Sequence, residues 1–178
     1  MDHDAQIGLP GEPENPYLIR TWTGRLVDPW NLTADDIDIK DIAHALARIA
    51  RFNGHTTGVI SVAEHCVWVS RHLSGTPYRL EGLLHDASEA YLCDIPSPLK
   101  RQPGMEEYRH AEARAETAIA DRFDLVFRAP EVKAADTAAY VHDVSIRWDD
   151  RPVQHPDYWE RVFLNTFIQL RAARKKAA

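Results

Sequence analysis

The chain has 178 residues, 44% hydrophobic and 27% charged, which is enough to bury one core without disulfides or extra subunits. Its formal net charge of -6, with no basic stripe, excludes broad binding of a nucleic-acid polymer, because such binding must neutralise many phosphates. No apolar run approaches a membrane span and no basic-then-apolar leader opens the chain, so the expectation is a cytoplasmic protein without a membrane partner.

Residues 1–18 are rich in Pro, Gly, Asp and Glu without any period, and read as an extended arm ahead of a single domain over 19–178. Ile19 to Val27 alternates around Thr23-Gly24 and predicts a short β-hairpin, which must lie against something larger. Trp22 and Trp30 are candidates to clamp it there. Ile42, Leu46 and Ile49 recur at helical spacing through 41–51. Ser61-Val-Ala-Glu64 is a capping-box pattern that should start a helix running to about Leu73.

Pro77 is expected to open a helix to Leu92, ended by Ile95-Pro-Ser-Pro98 as a rigid loop. Amphipathic helices follow over 105–123, 130–146 and 157–174. The fold expected from this order is an all-α helical bundle with a small N-terminal β-hairpin. Cys66 and Cys93 form no metal-binding spacing and read as two buried free thiols.

The 77–92 segment carries the chemistry. At 100° per residue, Leu80, Leu84, Ala87 and Tyr91 share one stripe, and His85, Asp86 and Glu89 share the opposite side. A solvated helix face would explain that alone, and so would a metal site, since the three supply mixed nitrogen and oxygen ligands and a general base in one small volume. Gly82, on the same polar face, would let a ligand approach closely. His65, early in the Ser61 helix, and Asp136, among the alanines of 132–140, are candidates for the remaining ligands. Two His and two Asp would suit Zn, Mn, Co, Fe or Ni.

The order His65, His85-Asp86, Asp136 resembles the H…HD…D pattern of the HD-domain superfamily of metal-dependent phosphohydrolases. Ser61-Val-Ala-Glu-His65, Leu84-His-Asp-Ala-Ser-Glu-Ala90 and Asp94-Ile-Pro-Ser-Pro-Leu-Lys100 look like bacterial 5'-deoxynucleotidases. They look even more like the shorter prophage and phage deoxynucleotide hydrolases. The resemblance runs from about residue 20 to 140 and implies an HD-domain helical bundle. It implies a divalent cation (Co, Mn, Zn, Fe, Ni or Mg) held by His65, His85, Asp86 and Asp136, and a water oriented or deprotonated by Glu89.

It further implies that Arg51 holds phosphate, Phe52 abuts the base or sugar, Asp94 approaches the sugar or a second metal, Pro98 lines the sugar pocket and Lys100 contacts phosphate. Phe52 stands where monophosphate-specific relatives carry tryptophan. His55 is a further candidate for substrate contact, and Arg48, Arg71 and Arg101 could join Arg51 and Lys100 around a triphosphate. The expected substrate is a small deoxynucleotide, mono- or triphosphate, and the protein could form a homo-oligomer. The other reading is a non-catalytic HD module that binds metal or nucleotide and regulates a partner.

Overall fold

The computed structural model of the chain describes residues 15–126, 129–146, 148–150 and 152–177, so residues 1–14 of the expected arm lie outside it. The hairpin is two short strands, β1 (Ile19–Arg20) and β2 (Leu26–Val27), paired antiparallel with Ile19 opposite Val27 and Arg20 opposite Leu26. So short a ribbon needs outside support, and buried Asp41 supplies it. Its carboxylate accepts the Thr23 backbone N–H at 2.6 Å and the Thr23 hydroxyl at 2.8 Å. Trp22 stacks on His44 at 3.9 Å between ring centroids. Trp30 acts differently, through its carbonyl, which accepts from Arg114 Nε at 2.8 Å.

Helices make up the rest: α1 (Ile39–Leu46), α2 (Val62–His72), α3 (Arg79–Leu84), α4 (Glu89–Leu92), α5 (Ser97–Lys100), α6 (Glu106–Phe123), α7 (Pro130–Ile146) and α8 (Pro156–Ala177). The fold is all-α with a small β-hairpin. Helix α2 is the hub, packed against α3, α7 and α8. Its start follows the local code, Ser61 accepting the Glu64 N–H at 3.1 Å. One core joins Val27 of the hairpin to Ile42 and Leu46 of α1, Val67 of α2, Leu83 and Leu84 of α3, Ile119 of α6 and Phe163 of α8. A smaller cluster under Val69 and Leu73 receives Val132, Ala135 and Ala139 of α7, whose small side chains let α7 approach α2 closely. Among the described residues no helix is long and apolar enough to cross a membrane.

Several expectations need correction. Helix α1 stops at Leu46 because the chain leaves it to pair with the start of α2: Arg51 N–H bonds Ile60 O at 2.9 Å and Val62 N–H bonds Ile49 O at 3.1 Å. The expected 77–92 helix begins at Arg79 and is interrupted between Leu84 and Glu89. There the backbone tightens, with Ala87 N–H bonding Leu84 O and Glu89 N–H bonding Asp86 O, three residues back. The apolar stripe stays buried through the break, so periodicity could not reveal it.

Gly82 is buried, and a Cβ there would lie 2.4 Å from Leu73 Cδ1 and 3.2 Å from Val69 Cγ1; α2, not a ligand, fills the space it leaves. The expected loop at 95–98 contains the start of α5, with Pro98 in its first turn. Cys66 is buried, but Cys93 is exposed, where a left-handed φ of 67° ends α4.

Candidate metal centre

Three elements bring the ligand candidates together. His65 lies one turn into α2 and is fully buried. His85 and Asp86 occupy the tight turn between α3 and α4, and Asp136 projects from α7. His65 Nε2 stands 3.3 Å from Asp136 Oδ1 and 3.7 Å from Asp86 Oδ2, and His85 Nε2 stands 3.1 Å from Asp86 Oδ2 and 3.7 Å from Asp136 Oδ1. Ligands held about 2.1 Å from one ion lie roughly 3.0–3.4 Å apart in octahedral or tetrahedral arrangement. The 3.1 and 3.3 Å pairs fall in that range, and the two 3.7 Å pairs need only a few tenths of an ångström of closure around a cation.

The tautomers agree. His85 Nδ1 donates to the Gly82 carbonyl at 2.9 Å, and His65 Nδ1 donates to Asp143 Oδ2 at 2.8 Å. Both acceptors require the proton on Nδ1, which leaves each Nε2 facing the carboxylates. Both Nε2 atoms are buried without a hydrogen-bond partner. Buried polar atoms are rarely orphaned, and two aimed at one point beside two carboxylates match a cation's needs. Residues His65, His85 and Asp136 thus form a cluster that could hold a metal, with Asp86 beside them.

Cys66 and Asp86 make a second grouping with His85. It is the weaker one, because burial pushes the Cys66 thiol up to about 11 despite nearby His85, and a thiol is a poor ligand.

The electrostatics point the same way. Burial alone would raise the Asp86 carboxyl, but His85, His65 and Arg51 hold it below the usual carboxylate range. Asp136, whose burial also acts upward, is likewise held below that range by His65, His85 and Lys133. Burial opposes charge on His85, yet Asp86 and Asp136 help raise it well above the usual histidine value. The pocket attracts positive charge at the place where the Nε2 atoms meet the carboxylates.

Beside this cluster lies a cleft of about 610 Å³. Arg51 and Phe52 reach it from a turn in which Phe52 and Asn53 both take left-handed backbone angles, φ 56° and 52°. Such a conformation costs a non-glycine residue about 1–2 kcal/mol, and strain of this kind collects where side-chain placement matters. Phe52 sits 6.0 Å from Tyr140 of α7, ring centroid to centroid, giving the cleft an aromatic wall.

Glu89, Asp94, Pro98 and Lys100 line the cleft as well, with Arg101, Lys133 and Thr137. Burial, then Asp86 and Asp94, push Glu89 well above the usual carboxyl value, and its Oε2 is buried without a partner. Asp94 is raised by burial, with Arg51 opposing, and Lys100 is raised against its burial by Glu112, with which it pairs. Burial would lower Arg51, but Asp86, Asp143 and Asp94 outweigh it and raise the guanidinium further.

His55 is not brought in. It is exposed in the loop beyond Gly54 and does not line the cleft. Arg48 is tied to Asp157 and Glu160 at 2.6 and 2.7 Å, and Arg71 is exposed outside the cleft. Sequence reasoning missed Asp143, although it follows Asp136 by seven residues, two helical turns that return to the same face. Tyr140 and Lys133 lie on neighbouring turns and were missed likewise.

No protein-family model matches the chain. It is 40% identical over 121 residues to the uncharacterized protein YfdR of Escherichia coli (strain K12), a match covering 67% of this chain and 66% of that protein. It is 41% identical over 133 residues to the uncharacterized protein RCAP_rcc00048 of Rhodobacter capsulatus, covering 67% of each. The match thus spans just under two thirds of the Escherichia coli protein's length.

Proposed function

The chain belongs to the same family as the Rhodobacter capsulatus protein, and we propose that it is a metal-dependent phosphohydrolase cleaving the 5' phosphoester bond of deoxynucleotides. The observation that carries the reading is the pair of buried, unpartnered Nε2 atoms of His65 and His85 facing Asp86 and Asp136. The H…HD…D order resembles that of HD-domain phosphohydrolases, and the cleft beside it supplies what such chemistry needs.

A divalent cation held by His65, His85, Asp86 and Asp136 would lower the pKa of a water and screen the phosphate charge. Glu89, with its raised pKa and free Oε2, is suited to take the proton from the attacking water and hold it. The water oxygen forms its bond to phosphorus, the bond from phosphorus to O5' breaks, and the proton passes to O5'. Arg51 offers planar, paired donors for the phosphate oxygens, with Lys100 and Arg101 as further positive charges along the cleft. Four acidic and four basic side chains line the cleft, so a bound divalent cation would leave it net positive, suited to an anionic substrate. The Phe52–Tyr140 wall offers an apolar face for base or sugar.

The same bond is cut whether phosphate leaves a monophosphate or intact triphosphate leaves a triphosphate. The test is turnover of both substrate series by metal-stripped protein reloaded with Mn, Co, Zn or Mg. Phosphate and triphosphate are resolved chromatographically. Absence of turnover with every metal and every deoxynucleotide would sink the proposal.

A further inference from the structure

Asp143 sits two helical turns beyond Asp136 on α7 and is only 2% exposed. One of its oxygens, Oδ2, accepts a hydrogen bond from His65 Nδ1 at 2.8 Å and forms an ion pair with Arg51, whose Nε lies 3.1 Å away. The first partner is a candidate metal ligand and the second the candidate phosphate grip. On the reading of the cleft as a metal and phosphate site, we propose that Asp143 is a positioning residue that couples the two.

The coupling has two parts. Accepting from Nδ1 fixes the His65 tautomer and ring plane, which keeps Nε2 aimed at Asp136 and Asp86. The ion pair with Arg51 anchors a guanidinium whose Nη1 lies only 3.7 Å from Asp86 Oδ2. Arginine keeps its charge at any working pH, so without a nearby anion it would pair more closely with Asp86. That pairing would occupy a metal ligand and withdraw the Nη donors from phosphate. Asp143 therefore holds Arg51 back from the cation's position, and its own charge offsets the repulsion between Arg51 and the cation.

The decisive variant is Asp143→Asn, which keeps the shape and one acceptor but removes the charge. Two affinities are read on folded protein: Mn binding by chelator competition, and inorganic phosphate binding to the Mn-loaded form by calorimetry. Mn affinity should fall by about 10- to 100-fold, the range found when partners of metal-ligating histidines are lost, and phosphate affinity should fall with it. Adding Arg51→Met to that variant should restore part of the Mn affinity, because the competitor for Asp86 is gone, while phosphate binding stays lost.

Unchanged affinities in folded Asp143→Asn, or a double variant that binds Mn no better than the single one, would overturn the proposal. Should Asp143→Asn not fold, Arg51→Met alone decides: Mn affinity should rise as phosphate affinity falls, and a loss of Mn affinity refutes the coupling. A wild-type protein that binds Mn and phosphate but turns over no nucleotide refutes the enzymatic reading. The same two affinities still judge Asp143.

Discussion

Adding a divalent metal should raise the thermal stability of the metal-stripped protein. The ligand candidates come from α2, the α3–α4 turn and α7, so the unfolded chain keeps no assembled site and the ion binds the folded state selectively. At a free metal concentration one hundred times Kd, such selective binding stabilises by about 2.7 kcal/mol. For a chain of this length each kcal/mol shifts Tm by about 2–4 °C, so the expected rise is roughly 5–11 °C.

The shift should also depend on pH. His85 is raised in the metal-free fold, so its stabilising contribution is complete below its unfolded pKa and lost as pH rises through the folded one. Asp86 and Asp136 are lowered, so theirs is present above the unfolded carboxylate value and lost only as pH falls through their folded pKa values. Metal-free protein should therefore weaken as pH rises from the unfolded histidine value through the raised folded pKa of His85, and the metal-induced rise should grow over that window as proton competition ends. The assay is scanning calorimetry with and without Zn or Mn across that range, beside Asp136→Ala as control. A Tm indifferent to every metal, or an equal rise in the Asp136→Ala variant, refutes the site.

Glu89→Gln should lower kcat by about 10²- to 10⁴-fold while metal affinity survives, measured by steady-state turnover and chelator competition. Because burial raises Glu89, its proton is favoured in the fold and the charge is a burden above its unfolded pKa; the same variant should thus raise the metal-free Tm at neutral pH. Gly82→Ala should destabilise by about 1–2 kcal/mol in urea unfolding, overpacking against Leu73 and Val69 outweighing up to about 1 kcal/mol of helix propensity. A more stable Gly82→Ala protein would contradict that packing. Arg174→Ala should cost about 1–3 kcal/mol, because Glu81, 4% exposed, loses the cation 2.5 Å away; the partly exposed arginine keeps the value below that of a fully buried pair. Unfolding midpoints no different from wild type would show that this pair carries no stability.

The helices beginning at Ser61 and Pro130, the long α6 and α8, and the Thr23-Gly24 hairpin were all legible along the chain. Caps, turn residues and apolar spacing act between residues a few positions apart, and the sequence displays those relations directly. His65, His85-Asp86 and Asp136 were legible too as candidate ligands, but only the resemblance joined them into one set, since no spacing along the chain states that three segments meet.

Tertiary structure decided the rest. It turned both Nε2 atoms inward by giving each Nδ1 an acceptor, Gly82 O and Asp143 Oδ2, that sequence did not mark. It filled the space at Gly82 with α2 and left His55 in solvent. It also broke the 77–92 helix at the HD pair without disturbing its buried stripe. These outcomes depend on which elements pack together and at what distance. A local pattern of apolar and polar residues fixes each helix's inner face, but not which side chain of a distant helix arrives opposite it.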